Sequence, residues 1–348
     1  MEEGMSRRDF LKTTVGAGAV LMAGGVMGGT GRAYGAVKMT EVDRVVITII
    51  TDNYYDALRP DAPVTKRFRT QPGKWMHAEH GLSCFIETTS NGKASGFIFD
   101  YGLDAQGVKN NMDVLGIDVG KADAFGLSHG HFDHWGASTQ MLAMNRTKIK
   151  KGTPLYLGEE AFAQRYSLVP GTTQRLDIGR FNKADIDASG LVRVAEVRDV
   201  TEVIPGGYFS GHVEQVTEYE KVSPTLLVKR GDAVVGDSFP GERAMAFNVK
   251  GRGLVVLSGC AHRGIVNTVK HVQKMAGIEK VFAVVGGFHL VNAKPEVIER
   301  TIADLKSIDP AYIVPAHCSG FEATMAFSKA MPEQFILNTA GTRYTFAA

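Results

Sequence analysis

Three of the chain's ten histidines and one aspartate are crowded into six residues, His129, His131, Asp133 and His134 of the stretch LSHGHFDHWG. The apolar run Ala124–Leu127 leads directly into it, as a buried strand would lead to its own end. In extended chain, side chains alternate, so His129 and His131 point the same way and suit one metal ion. Asp133 and His134 come after a turn and face a different direction, which suits a second ion close by. Imidazole and carboxylate donors fit zinc, iron or manganese, with zinc the first expectation. Two divalent ions roughly 3.5–4 Å apart acidify a water at neutral pH. Few soluble folds bring enough chain ends to one place to complete two such sites.

Further histidines lie just past other apolar runs. His262 follows GLVVLSGCA, His289 follows FAVVGGF and His317 follows AYIVPA. Strand ends converging on one rim of a sheet are where sites form in α/β architectures, so these residues are expected to meet. Asp133 and His289 are the candidate catalytic groups. Glu79 and His80 precede a strand, and Asp52 and Asn53 end one, so these four are candidates for substrate contact. His77 and His271 read as surface residues, Arg263 as a solvated charge at a helix start, and Trp135 as a packing residue. There is no Gly-x-Ser-x-Gly, no phosphate-loop Gly-Lys-Ser/Thr and no Cys-x-x-Cys.

The remaining pattern alternates strands with helices. Strands are expected over Glu41–Ile50, in a hairpin turning at Asn91-Gly92, over Ala122–Gly130, and in hairpins over 223–237 and 243–259. Helices are expected at 105–117, 136–145, 263–277 and 294–308, with strands between and after the last two. Residues 53–75 read as a long loop or lid, and 158–200 carries no clear period. Without a linker to divide it, residues 36–348 form one α/β domain, expected to be two sheets packed face to face with helices outside.

Residues 1–35 are expected to lie outside that domain. A basic segment with Arg7 and Arg8, a short Gly/Ala-rich apolar run and a small-residue exit at Ala33–Gly35 resemble a twin-arginine export signal. The export machinery is then a partner, and the location is periplasmic or otherwise exported. A hydrophobic content of 44% with 22% charged residues is that of a soluble globule. The formal net charge of +2 argues against nucleic acid, and no segment of 36–348 is apolar enough to span a membrane. The three cysteines, Cys84, Cys260 and Cys318, make a disulfide framework improbable. The expected partner is therefore a small-molecule substrate. Oligomeric state is not legible.

The stretch SHGHFDHWG, together with GFIFDYG and the late histidine of VPAHC, resembles the signature of the metallo-β-lactamase superfamily. That resemblance covers roughly 40–348 and implies an αββα sandwich with a binuclear metal site. It implies that His129 and His131 hold one metal, that Asp133, His134 and His317 hold the other, and that Asp100 orients ligands from behind. The chain departs from the family pattern at the bridging position. Cys260 or Asp237 takes the bridge, and His262 or His212 takes the remaining histidine's place. AEHGLS, GCAHRGIVN, VGGFHL and PAHCSG resemble the branch named for a dihydropterin–ribofuranosylaminobenzene phosphate synthase. The leading expectation is an exported hydrolase acting on an ester, amide or phosphoester. The alternatives are a synthase of that type, and a redox or metal-binding protein with an iron pair.

Overall fold

The computed structural model describes residues 36–169 and 171–348; the expected export signal, residues 1–35, lies outside the described residues. An eight-stranded sheet runs Val192–Glu196, Thr153–Leu157, Ala122–Gly126, Lys93–Phe99, Ser83–Ser90, Arg44–Thr51, Thr342–Ala347 and Thr65–Arg67 in spatial order. A seven-stranded sheet runs Thr201–Ile204, Gly207–Phe209, Met245–Val249, Gly253–Ser258, Val281–Gly287 and Tyr312–Ala316, with Glu41–Val42 also pairing Met245–Val249. Strand alternation decides which residues face which layer. Val45, Ile47, Ile49, Phe97, Phe99, Val255 and Leu257 fill the layer between the sheets. Their neighbours Ile50 and Ile98 turn outward to helices Ala105–Leu115 and Ser138–Met144. Leu254 and Val256 turn outward to helices Ile265–Ala276, Pro295–Ile308 and Phe321–Ala330. The order is helix, sheet, sheet, helix, the sandwich expected from the sequence.

The Asn91-Gly92 turn takes positive φ at both residues (51° and 76°), as a two-residue hairpin between right-twisted strands requires. Two segments differ from their sequence reading. Residues 53–75, read as a loop or lid, contain the strand Thr65–Arg67, which pairs with Thr342–Ala347. The buried Arg67 anchors it, donating to Thr339 Oγ1 at 2.9 Å and to the Leu337 carbonyl at 2.8 Å. A three-residue strand whose partner lies at the other end of the chain leaves no local period to read. Residues 158–200, which carried no clear period, supply the strands Arg165–Leu168 and Arg175–Asp177, which join the expected hairpin, Leu226–Arg230 with Ala233–Gly236, in a separate four-stranded sheet. Its strands are largely solvent-facing, which hides the apolar alternation. Among the described residues, no helix is long and apolar enough to cross a membrane.

Candidate metal centre

The site is assembled from strand ends. Asp100 directly follows Lys93–Phe99, and His129 stands three residues past Ala122–Gly126. Cys260 and His262 follow Gly253–Ser258, His289 follows Val281–Gly287, and His317 directly follows Tyr312–Ala316. The last three strands are parallel, so their carboxyl ends share one rim. His131 precedes the single-turn helix Phe132–Trp135, which turns Asp133 and His134 away from the His129–His131 direction.

Two donor sets converge there, each with ligand atoms within 4.8 Å of one another: Asp133, His134, Cys260 and His317, and His129, Cys260 and His262; Cys260, His289 and Cys318 make a third such group beside them. His129 Nε2 lies 3.1 Å from His262 Nε2, and the His131 ring centroid is 4.7 Å from both of those rings. His134 Nε2 lies 3.1 Å from Cys260 Sγ and 3.1 Å from His317 Nε2. His317 Nε2 in turn lies 3.1 Å from Asp133 Oδ2. Four donors about 2.0 Å from a tetrahedral ion sit roughly 3.3 Å from each other, so these spacings suit a metal between them. Ring nitrogens brought so close also repel through their lone pairs unless an electrophile or a proton separates them. The donor set therefore fits divalent metal ions, with Cys260 common to both groups.

The groups behind the donors fix their tautomers. Asp100 Oδ2 lies 2.7 Å from His134 Nδ1, while Ser128 Oγ bridges Asp100 Oδ2 at 2.7 Å and His129 Nδ1 at 2.9 Å. Each contact leaves Nε2 as the metal-facing nitrogen. Behind His317, Asn53 Nδ2 donates to its carbonyl at 2.9 Å, and Asp52 Oδ1 lies 3.9 Å from its Nδ1. Non-glycine residues with positive φ gather here: Asp100, Phe239, Ala261, His289 and His317, at 47° to 61°. Left-handed backbone at such residues costs energy and persists where packing imposes it, commonly at functional sites.

Burial is the first influence on these imidazoles and pushes them toward the neutral, ligating form. His129 and His262 are driven well below their ordinary value by burial and by neighbouring imidazoles, and His131 falls to about 3, mainly by burial. Burial also works against the Asp133 carboxylate, but His134, His317 and His131 hold it well below the usual carboxylate range. His317 moves the other way. Burial lowers it, yet the hydrogen bond to Asp133 and the Cys318 and Asp52 charges raise it to about 9. Burial also pushes the Cys260 thiol up.

Other residues singled out in the sequence take different places. His80 is exposed at the rim, its ring stacked 5.1 Å from His317 and its Nε2 3.6 Å from Asp133 Oδ2. His289 lies 4.1 Å from the His262 ring, and its Nδ1 has no hydrogen-bond partner. The Glu79 carboxylate is turned inward, accepting from the Leu103 and Asp104 amides at 2.9 Å each, rather than facing substrate. Asp52 is buried and accepts from Asn338, so it lies behind His317 instead of lining the cleft, while Asn53 is exposed beside His317. Asp237 is engaged by Arg165 at 2.8 Å, and His212 is exposed against the Pro240 carbonyl; neither joins a donor set. His271 is buried with its Nε2 2.9 Å from the Ser210 carbonyl, not on the surface. Arg263 is buried too, donating to the Val213 carbonyl at 2.7 Å, so it is not a solvated charge. Trp135 packs on Phe181 as expected. Sequence reasoning missed Ser128, Phe239, Glu242 and Cys318, which all touch the centre. Only Ser128 and Cys318 carried a signal, by adjacency to His129 and His317.

No family model matches the chain. A protein of Methanocaldococcus jannaschii named 7,8-dihydropterin-6-methyl-4-(beta-D-ribofuranosyl)-aminobenzene-5'-phosphate synthase is 34% identical over 261 residues, 74% of this chain and 87% of that protein. An uncharacterized protein of the same archaeon is 28% identical over 260 residues, 74% of this chain and 90% of that protein. A solved structure described as a metal-dependent hydrolase of the beta-lactamase superfamily shares the fold, with a TM-score of 0.68 and 23% identity over 87% of this chain and 100% of that one. The chain belongs to the metallo-β-lactamase superfamily, in the branch that includes the archaeal synthase.

Proposed function

We propose that this protein is a hydrolase that works with two divalent metal ions, zinc first among the candidates, on an ester, amide or phosphoester. The observation that carries the reading is the convergence of His134 Nε2, His317 Nε2 and Cys260 Sγ at 3.1 Å spacings, with His129 and His262 meeting at 3.1 Å beside them. Ions held at these donors would supply Lewis acidity and lower the pKa of a water. The protein's own groups supply the rest. Asp133, ionised and 3.1 Å from His317 Nε2, holds the direction of the attacking water. His80, half stacked on His317 and open to solvent, meets the incoming substrate. His289, its ring 4.1 Å from that of His262, would protonate the leaving group. The paired arginines of Ser6–Lys12 support export of the folded, metal-loaded chain of residues 36–348 as part of the same proposal.

The archaeal relative's name supports a second reading, condensation on a pterin substrate. The two separate in one experiment. Metal-loaded protein is assayed against ester, amide and phosphodiester panels in ¹⁸O-water, and in parallel with the pterin substrates of the synthase reaction. Label in the product, lost in His317→Ala, supports the hydrolase. Condensation without label uptake favours the synthase and overturns the first reading.

A further inference from the structure

The seven-residue segment Asp237–Arg243 touches every loop that delivers a donor to the His129–His262 group, and touches them with buried polar atoms. Asp237 accepts from Arg165 Nε at 2.8 Å through one oxygen and from the Phe239 amide at 2.8 Å through the other. The second bond closes a tight turn that sets Phe239 at φ 48°. The Phe239 ring is thereby stacked on His262, 4.0 Å between centroids with 14° between planes, and presents an edge to His131 at 5.1 Å and to His129 at 6.0 Å. Glu242 accepts from the amides of His262 at 2.7 Å and Arg263 at 3.0 Å. The Arg243 amide donates to the Ser128 carbonyl at 2.8 Å.

Arg165 completes the arrangement from the other side. A Cβ built on Gly130, between His129 and His131, would lie 2.1 Å from Arg165 Nη1 and 2.6 Å from the Ala161 carbonyl. The guanidinium thus lies flush against the turn joining the two histidines, and glycine is what admits it. A buried ion pair such as Arg165–Asp237 is weak evidence for stability, because desolvation offsets its attraction; its value lies in fixing a geometry.

We propose that Asp237 and Phe239 are positioning residues for one metal ion: they hold His129, His131 and His262 as a single ligand set and leave the Asp133–His134–His317 set alone. This rests on the metal-centre reading above. The ring contacts of Phe239 fall on His129, His131 and His262, whereas Asp100 orients His134 and Asn53 bonds the His317 carbonyl. The residue weighed from sequence as a bridging ligand therefore acts on the centre through Arg165 and Phe239.

The test is zinc binding, site by site, by competition with a chromophoric chelator for wild type, Asp237→Asn and Phe239→Leu, with His262→Ala and His317→Ala to identify the sites. Phe239→Leu keeps an apolar side chain and guards against a fold defect that removing a buried charge from Asp237 would bring. Support is a roughly 10–100-fold weakening, the range for groups behind metal ligands, confined in both variants to the site that His262→Ala removes. Unchanged affinity at that site, or equal weakening at both, overturns the inference while leaving the metal centre standing. A wild type that binds no zinc, iron or manganese overturns both.

Discussion

Asp100 Oδ2 lies 2.7 Å from His134 Nδ1, with neither side chain exposed to solvent. A carboxylate can only accept, so Nδ1 carries the proton and Nε2 turns its lone pair toward Cys260 and His317. Asp100→Asn removes that instruction, since an amide can offer either a donor or an acceptor. We expect metal affinity at the Asp133–His134–His317 set to fall roughly 10–100-fold, with far-ultraviolet circular dichroism unchanged, as read by chelator competition.

Glu242 is buried and serves two amides of the His262 loop. Glu242→Ala leaves two buried N–H groups without partners. The expected loss is about 1–3 kcal/mol for the site, seen as a lower urea midpoint with an unchanged slope in the metal-free protein.

Gly287 sits between the two metal-side cysteines. A Cβ there would lie 2.2 Å from the Gly259 carbonyl, 2.8 Å from Cys318 Sγ and 3.1 Å from the Cys260 Cα. The neighbours are backbone and a buried thiol, which cannot swing aside. Gly287→Ala should cost about 1–3 kcal/mol by overpacking and should lower metal content by displacing Cys260. Thermal unfolding and elemental analysis of the same preparation measure both.

Metal uptake should release protons. His317, held up to about 9 by Asp133 against the effect of burial, is protonated at neutral pH in the metal-free protein. An ion binding there must displace that proton and the Cys260 thiol proton, which burial retains to still higher pH, so affinity at this set rises with pH up to and beyond about 9. His131, near 3, is already neutral and adds no such dependence. Calorimetry at pH 7 in buffers of different ionisation enthalpy should report at least two protons released per chain, one from His317 and one from Cys260; one or none would contradict the assignment of His317.

The sequence was legible where local pattern and chemistry coincide. The β-branched run of Glu41–Ile50 marked a strand, and the histidines were readable because each follows an apolar strand. Asp100 came through likeness to a known signature, not through spacing. The roles of Asp52 and Glu79 were misread because a polar residue at a strand end looks the same whether it faces a cleft or is turned inward. Thr65–Arg67 and the strands within 158–200 were illegible because their partners are distant or their faces are wet, whereas the hairpin of 223–237 was read from its local pattern. Phe239 and Glu242 left no trace, since their contacts cross between strand ends that only the fold brings together.

In the proposed function these residues hold two metal ions. The direct measurement is elemental mass spectrometry of residues 36–348, purified without a histidine tag or chelator, beside His131→Ala and His317→Ala. About two equivalents of divalent metal per chain, reduced in each variant, is the predicted result. No bound metal after reconstitution with zinc, iron and manganese in turn, or variants that keep full metal content, would contradict it.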